Sequence, residues 1–293
     1  MSDNATAPIS VIANYACKTG ENPLWHPLEK QLYWTDIPTG RLFRYDPAAH
    51  KHEKIYEDRP VGGFTFQPDG ALLLFRDKGN VVIWRDGEER QTVIEEIPDE
   101  ATTRFNDVMA DPEGRVFCGT MPTEDRLGRL YRLDPDGTHH LVVENVGIAN
   151  GMGFTLDETG LYFTDSKART IYLFDYDRRT GNITNQRPAI QTDEAHGLPD
   201  GMIVDEYGDI WSAHFGGHGI YRYNTATGQL KQKIELPARN VTSLTFAGDD
   251  LQDVYVTTAL GSDKAEAGEH AGALLHFRAP VPGRHEFFSR IGV

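Results

Sequence analysis

Cysteine is nearly absent from this sequence: its 293 residues include Cys17 and Cys118 and no others. Two thiols are too few for a disulfide framework and lack the spacing of a zinc site, so both read as buried thiols in a reducing compartment. Basic residues are also scarce. The 29 Lys and Arg face 44 Asp and Glu, which leaves a net charge of −15 and none of the clustered cations that a nucleic-acid backbone demands. Nucleic acid is therefore not an expected partner. No apolar run reaches the ~18 residues of a membrane span. The opening MSDNATAPISVIANYA has no cationic segment ahead of an apolar core, so no targeting signal is read there. The expected location is the cytoplasm, without a membrane partner.

Three further absences narrow the chemistry and the fold. Without a long 3.6-residue amphipathic period, a helical solenoid or a βα barrel is disfavoured. Without a Gly-rich phosphate loop or a GxSxG elbow, phosphate cradling and serine-nucleophile acyl transfer lose their usual machinery. What remains is a chain 39% hydrophobic and 25% charged, able to bury a sizeable core, and residues 1–293 are expected to form a single domain. The acidic excess solvates the surface and would also attract a cation.

The sequence does contain a repeat. The signature LFRYD from Leu42 returns as VIWRD from Val82, LYRLD from Leu130, IYLFD from Ile171, IYRYN from Ile220 and, degenerately, LLHFR from Leu274. Ahead of each copy lie two apolar runs joined by an acidic or Gly-containing turn, as in GFTFQPDGALLLF. Most copies are followed by a turn and another β-prone run such as LKQKIEL. About four strands per unit, with 40 to 54 residues between signature starts, are the dimensions of propeller blades. The sequence thus predicts an all-β fold, a six-bladed β-propeller with four-stranded blades. The early run ISVIANYA is expected to add a strand to the last blade and close the ring.

Register within the repeat then singles out a set of positions. The stretches ANGMGFTLDETGLYF and PDGMIVDEYGDIW overlay with Asn150 on Asp200. Counting six residues back from the turn of every inner hairpin gives Glu21, Gly62, Asn106, Asn150, Asp200 and Thr242 as equivalent positions. Innermost strands line the channel of a propeller, so these residues should ring one of its mouths. Singly, each Asn or Asp reads as a turn former. Together, two carboxylates and two carboxamides call for a positive charge among them. Oxygen donors without His or Cys suit a single hard divalent cation: Ca²⁺, Mg²⁺ or Mn²⁺, with Fe²⁺ and Zn²⁺ also admissible.

The stretches TGENPLW, TRFNDVMADPEGRVFCGTM, IANGMGFTLDETGLYFTD, LPDGMIVDEYGDIWSA and VTSLTFAGDDLQDVYVTTA resemble, in order, the regucalcin/gluconolactonase family of six-bladed propeller lactonases. The resemblance implies a metal held by Glu21, Asn150 and Asp200. It also implies substrate contacts from Arg104 and Asn106 of the R-x-N-D motif, and from Glu124 soon after G-T-M. The sequence departs from the family at Asn22, where Gly is usual, so the Glu21 turn is expected to differ in detail.

A sugar lactone is accordingly the expected small-molecule partner, and its hydrolysis to the aldonic acid the expected reaction, aided by a cation that polarises the carbonyl. Asp200 is the candidate general base. The alternatives are a calcium-dependent phosphotriesterase-like hydrolase and a non-catalytic calcium-binding propeller. His214 and His218 in AHFGGHG read first as loop or strand residues, with projection into the channel mouth as the alternative. His196 is a similar case, and His139 and His140 read as an exposed turn.

Overall fold

The computed structural model describes residues 8–261 and 266–292. Residues 1–7, part of the stretch read above for targeting signals, lie outside that range. Six antiparallel sheets of four strands each make up the fold. Their innermost strands are Gly20–His26, Val61–Phe66, Phe105–Ala110, Ala149–Phe154, Leu198–Val204 and Asn240–Ala247, for blades one to six. Each of these strands packs on the next around the axis, and that of blade six packs back on that of blade one, completing a ring.

Every recurring signature forms the third strand of its blade, from Arg41–Asp46 to Ala273–Arg278. Ser10–Asn14 hydrogen-bonds to Ala273–Arg278 as the outer strand of blade six. The chain therefore closes the ring with its own N-terminal end and removes an edge that would otherwise be open to pairing.

The burial of each strand follows from its place in the blade. The inner strand VGGFTF of blade two is buried at every residue, because both of its faces meet other strands. The outer strand EERQTVI is exposed through most of its length. The apolar core is accordingly divided among the spaces between neighbouring blades. Inner strands approach so closely that some positions admit no side chain. A Cβ on Gly151 would lie 2.4 Å from the Met202 amide nitrogen, and one on Gly201 would lie 2.2 Å from Ser243 Oγ. The glycines of the two overlaid motifs are thus required by contact.

The acidic residues of the inner hairpin turns serve the backbone. Asp205 Oδ1 accepts the amides of Tyr207 and Asp209 at 2.9 and 3.0 Å, and Oδ2 accepts Trp211 Nε1 and an Arg222 guanidinium hydrogen. Asp111 holds the blade-three turn in the same way.

Residues 279–292 form no strand and pass beneath the inner hairpins. The Gly283 amide bonds to Leu251 O of blade six, Pro282 O accepts the Glu206 amide of blade five, and Arg284 reaches Phe154 O of blade four. Farther along, the Arg290 amide bonds to Gly114 O of blade three and the Ser289 amide to Phe66 O of blade two. Phe288 lies with its ring centroid 5.5 Å from that of His26 in blade one. This strap crosses the end of the channel opposite the predicted ring.

Candidate functional site

The ring positions are marked by a shared irregularity. In every inner strand one extra residue interrupts the ladder there: between Glu21 and Leu24, Val61 and Gly63, Phe105 and Val108, Asn150 and Met152, Pro199 and Met202, and Val241 and Ser243. Such a bulge bends the strand and re-aims its side chains. At Asn22 the backbone has φ of 47°, a left-handed conformation that glycine adopts freely and asparagine tolerates. The departure from the family pattern is thereby accommodated. The Asn22 amide donates to Glu21 Oε2 at 2.8 Å, and its side-chain oxygen accepts the Phe64 amide of blade two.

The segments entering the ring are clamped by carboxylates at the ends of the neighbouring second strands. Asp36 Oδ1 accepts the Thr19 amide at 3.0 Å, two residues ahead of Glu21. Asp165 accepts the Gly147 and Ile148 amides at 2.8 and 3.2 Å, ahead of Asn150.

Glu21, Arg104, Asn106, Asn150 and Asp200 come together in one pocket of about 240 Å³. Glu21, Asn106, Asn150 and Asp200 are buried. The more exposed apolar residues Met121, Ile148, Leu198 and Phe215 form another part of the lining, together with Thr19 and the buried Ser166. The two remaining ring positions lie outside this pocket. The Thr242 hydroxyl donates to Gly20 O at 2.6 Å, and Gly62 presses on the Phe105 backbone.

A chain of hydrogen bonds runs through the polar residues. Arg104 Nη1 donates to Phe105 O at 2.8 Å and to Asn106 Oδ1 at 2.7 Å. Asn106 Nδ2 donates to Ala149 O at 2.8 Å and to Asn150 Oδ1 at 2.6 Å, and Asn150 Nδ2 donates to Ser166 Oγ at 2.7 Å. Both hydrogens of the Asn106 amide are thus used within the protein. No other Arg104 nitrogen has a partner among the described residues.

Sequence reasoning missed a third carboxylate. Asp107 lines a small cavity of about 50 Å³ in the channel. The alternation of a regular strand would have sent it away from Asn106, but the bulge brings consecutive side chains toward the axis. Burial holds the Asp107 carboxyl up at about 7 against the pull of Arg104. Glu21 stands well above the usual carboxylate range, first through burial and then through the charges of Asp107 and Asp200. Asp200 is raised likewise by burial and by Asp107. Burial pushes the Arg104 guanidinium down, opposed by the same carboxylates. The charged forms are therefore under-compensated in the protein alone.

Among the described residues, neither Glu21 nor Asp200 takes part in an ion pair, and no group of three His, Cys, Asp or Glu is arranged to hold a metal. The available set is two carboxylates and a carboxamide, all oxygen donors. Asn150 Oδ1 keeps one lone pair beyond the bond from Asn106. This chemistry fits a hard divalent cation.

Other candidates lie elsewhere. Glu124 is exposed in the loop between the second and third strands of blade three and does not line the pocket. His214 is fully buried inside blade five, with Nδ1 2.9 Å from His196 O and its ring stacked 4.1 Å from Tyr221. Burial lowers its pKa to about 3. His218 is an exposed turn residue at φ of 57°. His196 packs 4.7 Å from Tyr221. His139 and His140 open the outer strand His139–Val146 of blade three, where a turn was expected. That strand is set by pairing with Gly128–Leu133, which local sequence does not reveal. Cys17 and Cys118 are both free and buried.

The sequence profile of the SMP-30/gluconolactonase/LRE-like region matches residues 19–260. The pentonolactonase XacC of Haloferax volcanii is 46% identical over 290 residues, covering 97% of this chain and 98% of that protein. Regucalcin of Xenopus laevis is 33% identical, covering 86% of each chain. A solved structure described as a calcium-binding protein, regucalcin, from Agrobacterium tumefaciens superposes with a TM-score of 0.90 at 25% identity, covering 97% of this chain and 98% of that one.

Proposed function

The chain belongs to the SMP-30/gluconolactonase/LRE-like family, and from that premise we propose that it is a lactonase that hydrolyses a sugar lactone to the open aldonic acid. Residues 1–293 act in this reading as one cytoplasmic domain. The observation that carries the assignment of roles is the gathering of Glu21, Asn150 and Asp200 with Arg104 and Asn106 in one pocket.

Glu21, Asn150 and Asp200 would hold a divalent cation through their side-chain oxygens. Such an ion, when bound, polarises a carbonyl and lowers the pKa of water. Asp200 accepts the proton of the attacking water. The partner-free Arg104 nitrogens donate to the substrate's oxygens, while Asn106 offers the second lone pair of Oδ1. Glu124, outside the pocket, contacts only a substrate that extends past the apolar lining. The 46% identity to a pentonolactonase favours a five-carbon sugar lactone.

The test is a pH-stat assay of metal-stripped protein, with Ca²⁺, Mg²⁺ or Mn²⁺ restored singly, on pentono- and hexonolactones and a phosphotriester. Cation-dependent acid release from a pentonolactone is expected. Hydrolysis of the triester alone would replace the reading with phosphorus chemistry, and no turnover of any compound would leave a binding protein.

A further inference from the structure

The pocket has a second tier. Two residues ahead of the six ring positions, and on the same face of each inner strand, stand Thr19, Pro60, Arg104, Ile148, Leu198 and Asn240. Thr19, Arg104, Ile148 and Leu198 line the pocket. The last three lie opposite Met121, Ser166 and Phe215, which line it as well: the Met121 amide donates to Arg104 O and the Ser166 amide to Ile148 O, both at 3.1 Å, and Leu198 pairs with Phe215 in the ladder. The polarity of this tier changes around the axis. Blade one supplies the Thr19 hydroxyl, blade three the Arg104 guanidinium and blade four the Ser166 hydroxyl, whereas the side chains from blade five, Leu198 and Phe215, are hydrocarbon alone. Cross-strand partners on one face stand close enough to act as one surface, and Phe215 leaves 36% of its area open. Contacts on either side fix it there. The preceding His214 points into the blade, with Nδ1 2.9 Å from His196 O, and a Cβ on Gly217 would lie 2.2 Å from that same oxygen.

We propose that Leu198 and Phe215 are specificity-determining residues, which seat the C–H surface of the lactone and reject a substrate that carries a further hydroxyl-bearing carbon toward blade five. The inference rests on the lactonase reading above. With the reacting carbonyl at the inner ring and hydroxyls held by Arg104 and Asn106 of blade three, the part of the substrate that reaches blade five meets hydrocarbon. A C–H group gains from that burial. A hydroxyl gives up its water there and finds no side-chain partner. An apolar wall discriminates against such a hydroxyl by up to about 100-fold. Among lactones of one ring size, a hexonolactone exceeds a pentonolactone by one such carbon, so the pair favours the pentonolactone.

The experiment compares kcat/KM on a pentono-γ-lactone and on a hexono-γ-lactone of the same ring configuration. Wild type, Leu198→Asn, Phe215→Asn and Phe215→Leu are assayed with saturating Mn²⁺, alongside calorimetric titration with Mn²⁺ and the melting temperature of each protein. Wild type should favour the pentonolactone about 10–100-fold. Leu198→Asn and Phe215→Asn should each lower that ratio about tenfold, chiefly through a smaller KM for the hexonolactone, because the amide gives its extra hydroxyl a partner. Phe215→Leu, which keeps the wall apolar, should hold the ratio within about threefold, and Mn²⁺ affinity should stay within about threefold throughout. The more exposed Phe215 position keeps the comparison available should Leu198→Asn melt early. A wild-type ratio near one, or equal changes on both lactones in the two Asn variants, overturns the inference. Failure of wild type to open either lactone overturns the lactonase reading instead, which keeps the two failures distinct.

Discussion

At one end of the channel Glu21 and Asp200 share a pocket with Arg104 and two carboxamides, on strands whose ladders are interrupted to place them. Toward the other end Glu286 faces a channel cavity from the C-terminal strap, and Arg284 is the charge that offsets its burial. Both ends raise carboxyl pKa values by desolvation, yet the arrangements differ. The first gathers several oxygens whose charges oppose one another, so a divalent ion can stabilise them all at once. At the second, Glu286 stands at about 7 through burial, with Arg284 opposing the shift and no other carboxylate charge contributing to it, although the same cavity reaches Asp107, and it is partly protonated near neutrality. Raised pKa values alone therefore do not mark a site; convergence of donors does.

Breaking the first arrangement should have the largest effect. Glu21→Gln and Asp200→Ala are expected to abolish lactone hydrolysis and weaken cation binding, with an unchanged circular dichroism spectrum, since neither residue belongs to the apolar core. Full turnover by either variant would remove it from the machinery.

The next largest effect separates Asp200 from Asn150, which occupy the same position in adjacent blades. Asp200→Asn keeps an oxygen of similar shape but loses the proton acceptor, so kcat should fall about 10²–10⁴-fold even with saturating cation. Asn150→Asp should bind the cation at least as tightly and retain measurable turnover. Initial rates against cation concentration on one lactone decide the matter; near-normal kcat in Asp200→Asn would mean that the base lies elsewhere.

Arg104→Ala should reduce kcat/KM by about 10–100-fold, the scale of a lost hydrogen bond to a charged donor, while metal analysis still finds one bound cation. Loss of the cation instead would assign Arg104 to organising the ring through Asn106.

The smallest effect belongs to the opposite end. A carboxyl raised from the ordinary range to about 7 makes the folded protein bind a proton that the unfolded chain releases, so stability is lost as pH rises through that interval. Glu286→Gln should therefore match wild type in thermal stability at pH 4, gain up to roughly 3 kcal/mol by pH 8, and leave kcat within twofold. A pH-independent difference in melting temperature would show that Glu286 does not titrate in that range.

Much of this could be read in the sequence because a propeller writes its architecture locally. LFRYD, VIWRD and their counterparts are third strands because adjacent antiparallel strands need only short turns, and a repeated unit keeps equivalent residues at equivalent heights. Hence Glu21, Asn106, Asn150 and Asp200 were identified by counting. Asp107 escaped because alternation assumes a regular ladder, and the bulge is a property of pairing. Ser166 has a fainter signal: it lies two residues beyond Thr164, the partner of Asn150 across the ladder, and so can share its face. His214 could not be assigned by pattern, since its neighbour Phe215 is the one that lines the pocket.

By itself, then, the sequence determined the blade number, the strand order within each blade and which positions meet at one mouth, because these depend on periodicity and short connections. Tertiary structure alone decided which side chains turn inward at the bulges and which end of an amide faces the pocket. It also decided that an irregular tail of residues 279–292 crosses the far end of the channel. Those outcomes depend on hydrogen bonds and close contacts between residues far apart in the chain, such as Phe64 with Asn22 or Ser289 with Phe66, and no local pattern encodes them.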